Sequence, residues 1–133
     1  PAADSVPALV AAGAQAVIVG KNGKRIIPVE QVPVSPGKTS LAPDEFVFEF
    51  IVPKVSGKTA DAYLRFIPRT EMDIAVVGCA VNLRVDGDTI TEARVAACKP
   101  IDDKRGTIEY RTKVAGVLAR RAAAIAFERA AAR

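Results

Sequence analysis

The chain has 133 residues, half of them hydrophobic and 5% aromatic, with a formal charge of +4; that is enough apolar material for one domain, or pieces of one, with a buried core rather than a disordered segment. It contains no histidine and two cysteines, which excludes Ser-His-Asp and Cys-His nucleophiles, histidine metal sites, and any zinc or iron–sulfur centre assembled within this chain. Redox chemistry would therefore fall to a bound organic cofactor, and the basic residues, scattered among acids without interleaved aromatics, read as solvated surface and not as a nucleic-acid groove.

No apolar run approaches the length that crosses a bilayer, and the first residues do not form a signal segment. Cys79 and Cys98 read as two small buried hydrophobes, so a reducing cytoplasm is the expected setting. In chain order, PAADSVPALVAAGAQ predicts a short helix capped by Asp4 or Ser5, with Pro7 in its first turn and Gly13 at its end. Ala16 to Val19 is a short apolar strand, Lys21-Asn22-Gly23-Lys24 carries the Asn-Gly signature of a two-residue hairpin, and Arg25 to Val29 returns. The Pro-rich stretch from Pro28 to Pro43 is expected to sustain neither ladder nor helix for long and to run over the surface.

Phe46, Phe48, Phe50 and Val52 then alternate with Val47, Glu49 and Ile51 in the most aromatic strand, which Pro53 stops. A polar turn from Lys54 to Asp61 leads to a strand with Ala62, Leu64 and Phe66 on one face and Tyr63, Arg65 and Ile67 on the other, and these two strands are expected to pair antiparallel. After Pro68 comes a charged turn, Arg69 to Glu71, then Asp73 and an apolar run whose odd positions from Ala75 to Val85 share one face. Asp86-Gly87-Asp88 reverses the chain and Thr89 to Ala97 returns. Thr107 caps a final helix with Tyr110, Val114, Val117, Leu118 and Ile125 on one stripe and Arg111, Arg120, Glu128 and Arg129 on the wetter side, its alanine runs letting another helix pack close. The order of elements argues an α+β protein, a mainly antiparallel sheet with flanking helices and no internal repeat.

The string R-x-x-x-D-I-A, the apolar strand after it, and D-G-D-x-I-x-x-A-R-V together resemble the FAD-binding (medium, or M) subunit of molybdenum hydroxylases, the xanthine dehydrogenase and carbon monoxide dehydrogenase flavoprotein family. PAADSVPALVAAGAQAVIVGKNGKRIIPVEQ resembles the segment after that family's second FAD-contacting glycine motif, and LAPDEFVFEFIVPK resembles its next strand. PIDDKRGTIEYRTKVAGVLARRA resembles its closing helix, with D-x-R-G-x-x-x-Y-R present as Asp103, Arg105, Gly106, Tyr110 and Arg111.

The resemblance implies that residues 1–67 are the C-terminal part of an FAD-binding domain. Residues 68–133 would be a CO dehydrogenase flavoprotein C-terminal-like domain, a hairpin plus helix lacking a strand and a helix near 97–100. It implies FAD as cofactor, a large subunit with the molybdenum cofactor and a small subunit with 2Fe-2S clusters as hetero-oligomer partners, and electron relay from the clusters through FAD to an acceptor.

By position, Asp4 would lie near the ribityl and phosphate region, Val47 would make an apolar and backbone contact, and Arg65 would stand where relatives usually have a lysine reaching the flavin. Asp73 and Ile74 would lie against the isoalloxazine ring, Ile74 covering one face; no side chain would be an acid–base catalyst. On the residues alone, Asp4 is equally a helix cap, Arg65 and Asp73 a surface ion pair, and Ile74 the first core residue of its strand. The family's glycine-rich loops, which cradle the FAD pyrophosphate, have no counterpart in these residues, so the chain alone is expected to bind FAD poorly. The alternative is a non-catalytic assembly module that no longer binds flavin.

Overall fold

A computed structural model describes residues 4–69 and 73–133; Pro1 to Ala3 of the first motif and Thr70 to Met72 of the charged turn lie outside the described residues. A short helix α1 (Val6–Ala11) leads into β1 (Gln15–Gly20) and β2 (Gly23–Pro28); the hairpin forms where expected, but its two loop residues are Lys21 and Asn22, one earlier than the Asn-Gly pair, because Gly23 at φ 113° already pairs with Gly20. Neither Asp4 nor Ser5 caps α1 through its side chain. The Pro-rich stretch sustains only short pieces. It makes a 3-10 turn (Val29–Gln31) and a small hairpin of β3 (Pro33–Ser35) and β4 (Lys38–Thr39), because Gly37 at φ 74° lets the chain fold back between prolines that would break any longer ladder.

Three strands follow the aromatic strand β5 (Phe46–Ile51): β6 (Thr59–Phe66), β7 (Val77–Asp86) and β8 (Thr89–Ala97). The expected antiparallel pairing of the aromatic strand with the Tyr63 strand does not occur. β5 adds to β1 in a sheet ordered β2-β1-β5, whereas β6 pairs with β7 in a second sheet ordered β6-β7-β8. Alternation alone does not say which neighbour a strand takes; side-chain chemistry at long range decides. Arg25 on β2 grips Glu45, just before β5, with two bonds of 2.8 Å, and Val47 packs into the cluster of Ala14, Ala16 and Val29 beneath α1. β6 instead runs in unbroken register against β7, from Thr59 opposite Arg84 to Phe66 opposite Val77.

Arg25 and an N–H from Ala42 hold the Glu45 carboxyl down to about 2 from its ordinary 4.5. Since the folded-state value is the lower one, the clasp contributes fully above about pH 4.5 and is lost as pH falls towards 2. The urea midpoint of Glu45→Gln is expected to fall less steeply than that of the parent chain across this window; parallel curves would show that the clasp does not couple to folding.

The second sheet carries the main core. Helix α2 (Ile108–Ala131) is capped by the Thr107 hydroxyl, which accepts the Tyr110 N–H, and lies over β6 and β7. Its buried stripe is Arg111, Leu118, Ala122, Ala126 and Ala130, with Val114 and Ile125 partly buried beside it, while Tyr110 and Val117 face outward. Leu118 of the expected stripe meets the sheet at Val76, Val77 and Cys79, with Val114 beside it, and further along the helix Ala122, Ala126 and Ala130 carry the contact on, with Ile125 at their flank. The odd residues of β7 already fill the interface with Val81 and Leu83, leaving room for only a methyl group opposite them. Arg111, expected on the wet side, is buried at 7% exposure.

Candidate functional site

Where α1, the β3 strand and the ends of β7 and β8 approach one another, they leave a cleft of about 630 Å³, a size ordinary for an organic ligand. Val6, Val10, Val34, Ile74, Val77 and Ile101 contribute to a mainly apolar wall, and Asp4, Lys99, Arg105 and Arg111 bring charge to it. An apolar slot with a few polar groups suits a flat organic ring and not a bare ion. Among the described residues no group of three or more Cys, Asp or Glu is placed to hold a metal.

The expected site residues divide between this cleft and its supports. Asp4 and Ile74 both line it, and Ile74 is half exposed into open space. Arg65 pairs with Asp4, Nη1 to Oδ2 at 3.5 Å, and not with Asp73. Asp73 instead accepts from Arg69 Nε at 3.2 Å; its side chain is 6% exposed, and the Arg69 bond holds its carboxyl below the ordinary range. The reading of Arg65 with Asp73 as an ion pair is thus replaced by two separate pairs, because Arg65 leaves β6 on the side facing the α1 segment while Asp73 sits after the break in the strand. Val47 is placed apart from the cleft lining, packed beneath α1.

Two features escaped the sequence reading. The D-x-R-G-x-x-x-Y-R residues form a knot beside the cleft. The Arg111 guanidinium donates to the Val76 carbonyl at 2.8 Å, to the Gly106 carbonyl at 3.3 Å and to Asp103. Asp103 also accepts the Arg105 N–H at 2.7 Å, chiefly through which its carboxyl is held low. Tyr110 meets Phe66 edge to face at 6.4 Å. The knot ties the first turn of α2 to the Ile74–Val77 wall. The only sequence signal for it was the motif itself, since an arginine in a first helical turn normally reads as solvated.

The second feature is Tyr63. Its hydroxyl is buried and has no hydrogen-bond partner among the described residues; burial, reinforced by Asp4 and Cys98, pushes its pKa up. Gly78 makes room for it, because a Cβ at that position would sit 2.8 Å from the hydroxyl. A glycine inside an otherwise apolar strand was the available signal. Tyr63→Phe is expected to leave stability unchanged or raise it by up to about 1 kcal/mol, since it removes a buried donor that gains nothing; a clear loss in thermal unfolding would show that the hydroxyl is satisfied in solution.

Two family models match this chain. Residues 1–55 match the FAD binding domain in molybdopterin dehydrogenase, and residues 62–98 match the CO dehydrogenase flavoprotein C-terminal domain. The chain belongs to the flavoprotein-subunit family of the molybdenum hydroxylases. Among curated members, the carbon monoxide dehydrogenase medium chain of Hydrogenophaga pseudoflava is 28% identical over 163 aligned positions, covering 94% of this chain and 56% of the relative. A putative xanthine dehydrogenase FAD-binding subunit of Escherichia coli is 32% identical over 95 positions, covering 71% of this chain and 32% of the relative. This family member thus spans between about a third and somewhat over half of the curated relatives it matches. The first alignment is also longer than the chain itself, so that relative holds residues within the aligned span that this chain lacks.

Among solved structures, a carbon monoxide dehydrogenase of Hydrogenophaga pseudoflava lacking the Mo-pyranopterin moiety superposes with a TM-score of 0.86 at 26% identity, over 95% of this chain and 56% of that one. A quinoline 2-oxidoreductase of Pseudomonas putida shares the fold, with a TM-score of 0.81 at 16% identity over 95% of this chain and 56% of that one. The α+β architecture of antiparallel sheets closed by a C-terminal helix is that of this flavoprotein family.

The residues present fit one end of the family's flavin. The cleft offers an apolar slot walled by Ile74 and edged by Asp4, as a ring system requires. The nine glycines are nowhere clustered into a glycine-rich loop, and the described residues offer the pyrophosphate end no such backbone cradle.

Proposed function

We propose that this chain forms the ring-facing part of the FAD-binding subunit of a molybdenum hydroxylase. In that role it would relay electrons from the iron–sulfur clusters of a small partner subunit through FAD to an acceptor, while a large subunit carries the molybdenum cofactor. The observation that supports this most is that Asp4 and Ile74, remote in sequence and assigned to flavin by separate motifs, line one cleft. Bound FAD would supply the one- and two-electron chemistry. Ile74 would keep water from the ring, Asp73 held by Arg69 would fix the backbone that presents Ile74, and Arg65 would hold Asp4 at the cleft edge while adding positive charge. Val47 would act indirectly, by seating β5 under α1. On this reading residues 1–67 complete an FAD-binding domain and residues 68–133 form the C-terminal-like domain, with β6 bonded across the boundary. A cytoplasmic setting accords with two free cysteines, and no described helix is long and apolar enough to cross a membrane.

Titration of FAD and of lumiflavin, the ring without its phosphates, into the purified chain tests the proposal by fluorescence quenching. Both ligands are expected to be quenched weakly and to similar extents, and Ile74→Glu is expected to abolish the effect. Stoichiometric FAD surviving gel filtration would contradict the missing phosphate cradle. Quenching that is absent, or identical in Ile74→Glu, would favour the flavin-free assembly module, a reading supported by the lack of glycine-rich loops.

A further inference from the structure

The strand β8 is an edge of its sheet, and its residues from Thr89 to Val95 are all exposed. Long exposed edges invite pairing with another chain, and proteins normally bend, shorten or cover them. Val95 lies opposite Val81, on the helix-covered face of the sheet, yet it remains 62% exposed because α2 rests mainly over β6 and β7 and only grazes β8.

The phase of the ladder shows which backbone groups are free. Cys98 donates its N–H to the Gly78 carbonyl at 3.1 Å, so Cys98 and Gly78 are a hydrogen-bonded pair. In antiparallel strands such pairs alternate with non-bonded ones. Even positions of β8 up to Glu92 therefore bond to β7, and the N–H and C=O of Ala93 and Val95 point to the open edge.

We infer that β8 pairs with β8 of a second copy of this chain, antiparallel and centred on Ala93. In this register the two copies of Ala93 exchange their free backbone bonds. Glu92 of each copy falls opposite Arg94 of the other, at the non-hydrogen-bonded positions where side chains approach most closely. Val95 meets Thr91 of the other copy. Moving the centre by one residue sets Glu92 against Glu92 or Arg94 against Arg94 and turns the wrong backbone groups inward, so charge and hydrogen-bond phase select the same register. Both side chains are about half exposed; within one chain Glu92 lies 4.0 Å from Arg94 and 3.4 Å from Arg84 of β7, so the second copy's Arg94 would join Arg84 on a carboxylate that still faces solvent. The pairing rests on β8 alone and is independent of flavin binding.

Sedimentation of the 133-residue chain across a concentration series tests it. A monomer–dimer equilibrium is expected, and Ala93→Pro should weaken it at least about tenfold, because proline removes an N–H that β7 does not use. Circular dichroism should leave the fold of that variant intact. Glu92→Arg and Arg94→Glu should each weaken the dimer, while the double variant, which restores opposite charges in both pairs, should recover it to within about threefold. Arg94 also lies over Gly13, so the proline variant provides the test that does not disturb α1. A chain monomeric at every concentration, or a dimer indifferent to Ala93→Pro, overturns the inference. So does β8 amide protection that appears only when a different protein is added.

Discussion

Replacing Arg111 by alanine is expected to lower the unfolding free energy by about 3 kcal/mol, visible as a lower urea midpoint. Arg111 is nearly buried and spends its donors on two carbonyls and a carboxylate. The Val76 carbonyl is the acceptor in the one of these bonds that is fully buried; without its partner it keeps the full cost of desolvation. Asp103 keeps the Arg105 N–H and reaches water, so its share of the loss is the smaller one. Arg111→Lys is expected to recover less than half of the difference, since one ammonium cannot span three acceptors held in a fork. Because Val76 and Arg111 both line the cleft, the alanine variant should lose flavin quenching in parallel with stability. A change below about 1 kcal/mol would mean that the knot is solvated in solution and that Arg111 reads correctly as a surface residue.

Enlarging Ala126 to leucine is expected to cost about 1–3 kcal/mol, read as a lower melting temperature. Ala126 and Ala122 are fully buried against Ala62, Val81 and Leu83, so added carbons have no space unless α2 lifts from the sheet. The same change at exposed Ala124 should be nearly neutral, because nothing packs over it. Equal effects at the two positions would show that α2 does not bear on the sheet through its alanine stripe.

The contrast between these two variants marks what patterning conveys. Helix α2 was expected to bury the large apolar residues of one stripe, because periodicity weighs residues by hydrophobicity. Leu118, Val114 and Ile125 of that stripe do pack on the sheet, but over Val81 and Leu83 the branched side chains leave room for only small residues, so the contact continues through Ala122 and Ala126 on the turns after Leu118. Arg111 went unrecognised for a related reason: its polar partners come from Val76, 35 positions earlier, and from a loop whose shape is not written in any period. The cleft was legible only in part. Asp4 and Ile74 were named from the resemblance, yet nothing in their spacing showed that they would share a wall, and Tyr63 passed as one face of an amphipathic strand.

From its amino acids alone this protein determined its chain reversals around Asn22-Gly23 and Gly87-Asp88, the hairpin of β7 and β8, the Thr107 cap and the family strings, since each depends on the conformations open to a few adjacent residues. Tertiary structure alone decided that β5 joins β1 and not β6, that Arg65 turns to Asp4 while Asp73 turns to Arg69, and that Arg111 is buried. Those outcomes depend on which strand edges and charged partners remain unoccupied once distant segments have packed, a competition that local propensity does not encode.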